Sequence, residues 1–338
     1  MWNKLNITLI ILVHSAAIAG QNSNIPPAIT LKGHQYKVNH ICYNKSGELM
    51  ASCGWDNTVI IWDMNTCTVK YVMQGHTDNV WTVKFSPDEK YLISGGMDAT
   101  MIICDFQSGN TFKKITAEPE QVNKIGKYPE IKYFLPNSLS PKVFNKEGTL
   151  LYAGSTDGLI RILDLNSLEF TDTLYGHKGA TSNMAISGDG SLLATGSWEN
   201  ELFIWDLESQ EIIHSLKAKE HSAYSLKFIN NDTCLFGAGG TSINIWDIES
   251  ETIVKRYTGQ RGMTQCGFSP DGRYLASCAE DHTVWLRDYK TGDILWKYRG
   301  PKMEISTMAF SPDGKYLAIG TPESDILIWK MDEIIRQE

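Results

Sequence analysis

Histidines and carboxylates recur in this chain at a fixed distance. Asp56 follows His34, Asp98 follows His76 and Glu199 follows His177, each 22 residues on. An imidazole beside a carboxylate is the raw material of general-base catalysis. The repetition argues for another role: an active site is built once, whereas these pairs return with a sequence period, as structural ties do. The other chemical signatures are missing. The chain has no Walker loop, GxSxG elbow, HExxH or CxxC, and no Cys/His cluster at zinc spacing. His40, His214 and His282 stand singly and read as surface or packing residues, and of the pair Glu280-Asp281 the periodic role accounts for one member. No enzymatic activity, cofactor or metal is expected.

The pairs sit in a longer frame. From Gly33 to Asp63, a Gly-His pair opens it and Trp62-Asp63 closes it. The closing pair returns as Cys104-Asp105, Leu163-Asp164, Trp205-Asp206, Trp246-Asp247, Arg287-Asp288 and Trp329-Lys330, at spacings of 42, 59, 42, 41, 41 and 42 residues. Each frame reads as four strands. Apolar residues at one phase (Val38, Ile41, Tyr43; Val80, Val83, Phe85) mark the first. Turns such as Ser269-Pro270-Asp271-Gly272 follow, where Pro presets φ and Gly accepts a left-handed backbone. Tyr274 to Cys278 exemplifies the second strand, the β-branched Thr58 to Trp62 the third, and Val69 to Met73 the fourth.

A period of about 40–45 residues with these marks signals propeller blades, and over roughly residues 27–330 the chain resembles the WD-repeat β-propeller family. The implied fold is all-β, a seven-bladed propeller of four-stranded antiparallel blades. The resemblance also implies a hydrogen-bonded tetrad in each blade. Blade one would use His34, Ser52, Asp56 and Trp62; blade four His177, Thr195, Glu199 and Trp205. Blade two has His76, Ser94 and Asp98 but Cys104 for the Trp, and blade six has Ser277 and Asp281 with Gln260 and Arg287. Blades three, five and seven lack most of the set. Finally, it implies three partner-facing positions per blade on the upper face. These are Lys37, Asn39 and Trp55 in blade one, Asn79, Trp81 and Met97 in blade two, and Ala180, Ser182 and Trp198 in blade four. Blade five offers Ser222, Tyr224 and Gly239; Glu280 and Glu304 stand in blades six and seven. Trp55, Trp81 and Trp198 are not tetrad residues, so they are the expected contacts for a protein or peptide partner. A structural subunit held in a larger assembly is the alternative, with a ligand-binding or catalytic central channel after that.

The chain has 338 residues, a net charge of −8 and a pI near 5.5. Without a basic stripe, nucleic acid and anionic membrane surfaces are disfavoured as partners. The run Ile7 to Val13 followed by Ala17-Ile18-Ala19 has the form of a secretory leader, residues 1–20, which predicts a secreted or periplasmic protein without a membrane anchor. A cytoplasmic propeller with an unstructured N-terminus is the alternative. Seven cysteines, an odd number, temper the secretory reading. Counting back from the Ser269 turn puts Cys266 opposite roughly Leu275 rather than Cys278, so no bridge between those two is expected. Asn44-Lys45-Ser46 and Asn231-Asp232-Thr233 match the glycosylation pattern. After a linker at 21–27, Ala28 to Leu31 is expected to complete the last blade of a propeller spanning 28–332, with a tail at 333–338. The long second spacing points to an insertion within 116–137, either a recognition loop or a tolerated surface excursion.

Overall fold

Alternation of apolar residues sets the strands, and turn chemistry sets where they reverse. The computed structural model describes residues 2–3, 25–106, 111–116, 142–155, 157–217, 225–300 and 305–335. The fold is an all-β propeller of seven antiparallel four-stranded blades, and one short helix is present among the described residues. Most of the leader, most of the linker and nearly all of the insertion between blades two and three lie outside the described residues.

The chain divides into two compact units. The first, residues 1–75 with 260–338, carries blades one, six and seven. Blade one runs Val38–Tyr43, Leu49–Gly54, Val59–Asp63 and Thr68–Met73, with the two-residue strand Trp2–Asn3 against the outermost. In blade seven the outermost strand is Ile29–Lys32, which pairs antiparallel with Asp325–Lys330 and buries Leu31. The N-terminal strand therefore completes the last blade. Trp329 fixes this arrangement. Ile319 stands where blade one has the hydroxyl of Ser52, so the indole N–H of Trp329 donates instead to the carbonyl of Ile25 at 3.1 Å. Ile25, expected as linker, packs on the blade-seven core. The expected tail also differs: Met331–Ile335 forms a single helical turn with Met331 and Ile334 buried in that core.

The second unit, residues 76–259, carries blades two to five. Its blades pack through buried aliphatic side chains, such as Ile93, Ile103, Leu151 and Leu163 between blades two and three. In blade five the second and third strands run together as Cys234–Asp247, because the intervening turn is cut down to the glycines at 239 and 240, the latter at φ 57°.

The closing aspartates earn their recurrence at the next turn. Asp63 accepts the amides of Asn65 and Thr66 at 3.0 and 3.1 Å, and Asp164, Asp206, Asp247 and Asp288 cap the equivalent turns. The residue four positions on takes a left-handed backbone in each, whether glycine or not: Cys67, Leu168, Gln210, Glu251 and Gly292. The Ser-x-Asp-Gly turns are similarly self-bonded, Ser269 Oγ donating to Asp271 at 2.5 Å and Ser311 Oγ to Asp313 at 2.6 Å.

All seven cysteines are free thiols. Cys266 pairs with Ser277 across the ladder, two residues from the expected Leu275, because Ser269 pairs with Tyr274, outside the turn bond from the Gly272 amide to the Ser269 carbonyl. Asn44 is buried, and its carboxamide oxygen accepts the amide of Leu49 at 2.9 Å, so this glycosylation pattern is spent on a turn.

Candidate interaction surface

The tetrad of blade one shows what its histidine does. Trp62 Nε1–H donates to Ser52 Oγ at 2.7 Å, and Ser52 Oγ lies 2.7 Å from His34 Nε2. His34 Nδ1 lies 2.8 Å from Asp56, which also accepts the amide of Gln35 at 2.9 Å and the hydroxyl of Thr58 at 2.7 Å. With the indole as donor to its oxygen, the serine hydroxyl donates a hydrogen bond to Nε2, leaving Nδ1–H to donate to the carboxylate. Burial acts to raise the Asp56 pKa, but the bonds from His34, Gln35 and Thr58 overcome it and hold the group down at about 2. The polar atoms of the set are bonded to one another within the blade. Blade two repeats the arrangement through His76, Ser94 at 2.9 Å and Asp98 at 3.0 Å. There Cys104, in the Trp position, contacts Thr111 Oγ1 at 3.7 Å.

Blade four departs from expectation. His177 bonds Thr195 at 2.7 Å, and Trp205 donates to the same hydroxyl at 2.7 Å. The carboxylate is not that of Glu199. Glu201 lies 3.3 Å from His177 Nδ1 and accepts the amide of Lys178 at 2.9 Å. Glu201 occupies the position of Thr58, and its longer side chain reaches back to make the two bonds that Asp56 makes in blade one with the histidine and with the amide after it. Glu199 is exposed and lies over Gly179, its Cγ 2.6 Å from where a Cβ would stand. Burial holds the His177 pKa below the usual imidazole value, against the pull of Glu201.

Other blades substitute by similar means. Gln260 replaces the histidine of blade six, accepting from Ser277 Oγ and donating to Thr283 Oγ1 at 3.1 Å. Arg287, in the Trp position, lies over Trp285 at 4.8 Å. In blade three Asp157 pairs with Arg161 at 2.6 Å.

The upper ends of blades one, two and four are positioned by one recurring bond. The backbone amide of the residue before the turn carboxylate donates to the carbonyl three positions past the histidine: Trp55 to Lys37 at 2.9 Å, Met97 to Asn79 at 2.8 Å, Trp198 to Ala180 at 2.9 Å. Gly54 permits the approach, since a Cβ there would stand 2.5 Å from the Lys37 carbonyl. The bond sets each tryptophan or methionine beside the neighbouring loop. In the first unit Trp55 is 42% exposed; in the second, Trp81 and Trp198 are each 37% exposed. Asn79 and Met97 are half-buried, with Asn79 Nδ2 donating to the Met97 sulfur at 3.7 Å. Two expected contacts are corrected. Lys37 and Asn39 are both buried, Lys37 turning its ammonium over the Trp55 ring at 5.5 Å instead of toward solvent. Tyr224, Ser222 and Glu304 lie outside the described residues.

Comparison with known sequences agrees with this geometry. The profile of the family described as WD domain, G-beta repeat matches residues 26–63, 67–105, 168–206, 251–288 and 292–330. The chain belongs to the WD40-repeat family. The matches omit the third and fifth blades of this WD40 propeller. Among its relatives, protein tipD of Dictyostelium discoideum is 22% identical over 77% of this chain and 41% of that protein. The WD repeat-containing protein SL1-17 of Schistosoma mansoni is 26% identical over 57% of this chain and 58% of that protein. The chain thus spans about half the length of these curated relatives. WD40 propellers are typically protein-interaction scaffolds.

Proposed function

We propose that this WD40 propeller is a non-enzymatic platform that binds a protein or peptide segment through the upper ends of its blades. The observation that carries the reading is the exposure of Trp55, Trp81 and Trp198 at positions the tetrads do not use. Large indoles left in solvent have a cost that a binding surface explains, and aromatic anchors of this kind dominate interface energies. The tetrad imidazoles and the carboxylates that bind them, by contrast, are bonded within blades. Affinity capture with mass spectrometry tests the reading. A partner retained by the wild type is expected to be lost with Trp81→Ala and Trp198→Ala at unchanged melting temperature. Equal recovery by all three proteins would refute it.

The leader-like N-terminus supports a secreted or periplasmic location, whereas seven unbridged thiols favour the cytoplasm. Sequencing the mature N-terminus decides: a start near residue 20 supports export, and a retained Met1 refutes it. A permanently assembled subunit is the second reading, and size-exclusion mass separates it from a transient binder.

A further inference from the structure

The relocation of the blade-four carboxylate has a chemical consequence at the surface. In blade one the residue after the exposed tryptophan, Asp56, is bound by His34, Gln35 and Thr58 and belongs to the blade interior. In blade four the tetrad bonds are made by Glu201, so the residue after the exposed tryptophan, Glu199, remains at the surface as an exposed carboxylate. Trp198 is held by its amide bond to Ala180, and Glu199 lies on the flat backbone of Gly179, the next residue before it. An indole face and a carboxylate are thus anchored side by side on one loop pair. Both attract a cation: the indole through its ring quadrupole, the carboxylate through its charge. The net charge of −8 on the chain adds a favourable long-range field for a positive partner and an unfavourable one for a negative partner.

We infer that Trp198 and Glu199 form a subsite for a basic side chain, an arginine or lysine, of the peptide segment that the propeller binds. This rests on the interaction reading above and specifies the chemistry of one of its contacts. The bonds to His177 and from the Lys178 amide are made by Glu201, so substitution of Glu199 leaves the tetrad of this blade in place.

The experiment pans short random peptides, displayed on phage, over the immobilised full-length protein. Dissociation constants of the selected peptides are then measured by fluorescence polarisation. Arginine or lysine is expected at one enriched position. Glu199→Gln is expected to weaken the selected peptides about fivefold and to flatten their salt dependence. Glu199→Lys is expected to weaken them more than about tenfold and, on fresh panning, to enrich aspartate or glutamate instead. Gly179→Ala, which displaces the Glu199 side chain without changing charge, is expected to weaken binding in the same direction. Glu211→Gln, an equal charge change on the outer strand of the same blade, is expected to leave binding unchanged. Peptides selected without a basic position, or Glu199→Gln behaving as Glu211→Gln does, overturn this inference while leaving the interaction reading intact. Failure of the wild type to select any peptide overturns the interaction reading, and this inference with it.

Discussion

Glu201, two residues past the expected carboxylate, holds the blade-four histidine, and that assignment can be tested by moving it. Glu201→Thr removes the bond to His177 at 3.3 Å and the bond from the Lys178 amide at 2.9 Å. The imidazole of His177 is fully buried, so its Nδ1–H is left without an acceptor, at a cost of about 1–3 kcal/mol. The lost charge-assisted bond to Lys178 brings the total to about 2–4 kcal/mol. At roughly 1.5 °C per kcal/mol for a chain of this size, the melting temperature should fall by about 3–6 °C. Glu199→Asp alone should change stability by less than about 0.5 kcal/mol, since that side chain is exposed. The double substitution Glu199→Asp with Glu201→Thr rebuilds the arrangement of blade one, where Asp56 and Thr58 occupy these two positions. It should recover most of the loss, a coupling that independent sites do not show. Thermal unfolding followed by circular dichroism reads all four proteins. Additive behaviour in the double variant, or a Glu199 single variant as damaging as the Glu201 one, would refute the reasoning.

Asp56 is held at about 2, below the ordinary 3.8, so its contribution to stability is present above about pH 4 and is lost as pH falls toward 2. Allowing for solvent screening, the loss is about 1–2 kcal/mol, and urea titrations of wild type and Asp56→Asn should converge over that interval. His177 is depressed by burial, so the unfolded chain takes up its proton first, and stability should fall as pH drops below the usual imidazole value; Thr195→Ala scanned over the same range reports whether the blade-four histidine is responsible. Deleting residues 28–32 removes Leu31 from the core and leaves Asp325–Lys330 as an open edge, so the protein should unfold or aggregate; an unchanged melting temperature would contradict the role given to this strand. Trp329→Phe keeps the bulk but loses the bond to Ile25 and should cost about 1 kcal/mol, measured by urea unfolding.

Much of the architecture was legible in the sequence because the signal is repeated. Seven closing pairs in phase define the blades, and the blade-one tetrad bonds the residues that spacing alone selects. What was not legible turns on reach rather than position. Glu201 matched no template because the template records a residue at a spacing, whereas a glutamate can serve a site two residues away. Lys37 sits at the expected position, but its long stem folds beneath Trp55, so position did not predict exposure. The Cys266 register failed by two residues because the ladder begins where Ser269 pairs with Tyr274. Trp329 carried a readable signal that position counting does not use: Ile319 in the hydroxyl position means that a buried indole N–H must find another acceptor.

The departures share a physical rule. A blade keeps its geometry only if the groups buried at its upper end remain satisfied, and the identity of the satisfying atom is free to change. Gln260 does for Ser277 what His34 does for Ser52, and Ile25 does for Trp329 what Ser52 does for Trp62. Each replacement leaves the internal account closed but alters what the surface offers. Only in blade four does the replacement leave a carboxylate next to an exposed indole, because Glu201 takes over from a residue that itself follows Trp198. In blade two the residue before Asp98 is Met97 and the carboxylate stays bound to His76, so that turn presents a thioether where blade four presents an indole and a carboxylate. Neighbouring blades with one backbone plan therefore offer different chemistry to a partner, and the difference follows from which atom closes the buried network.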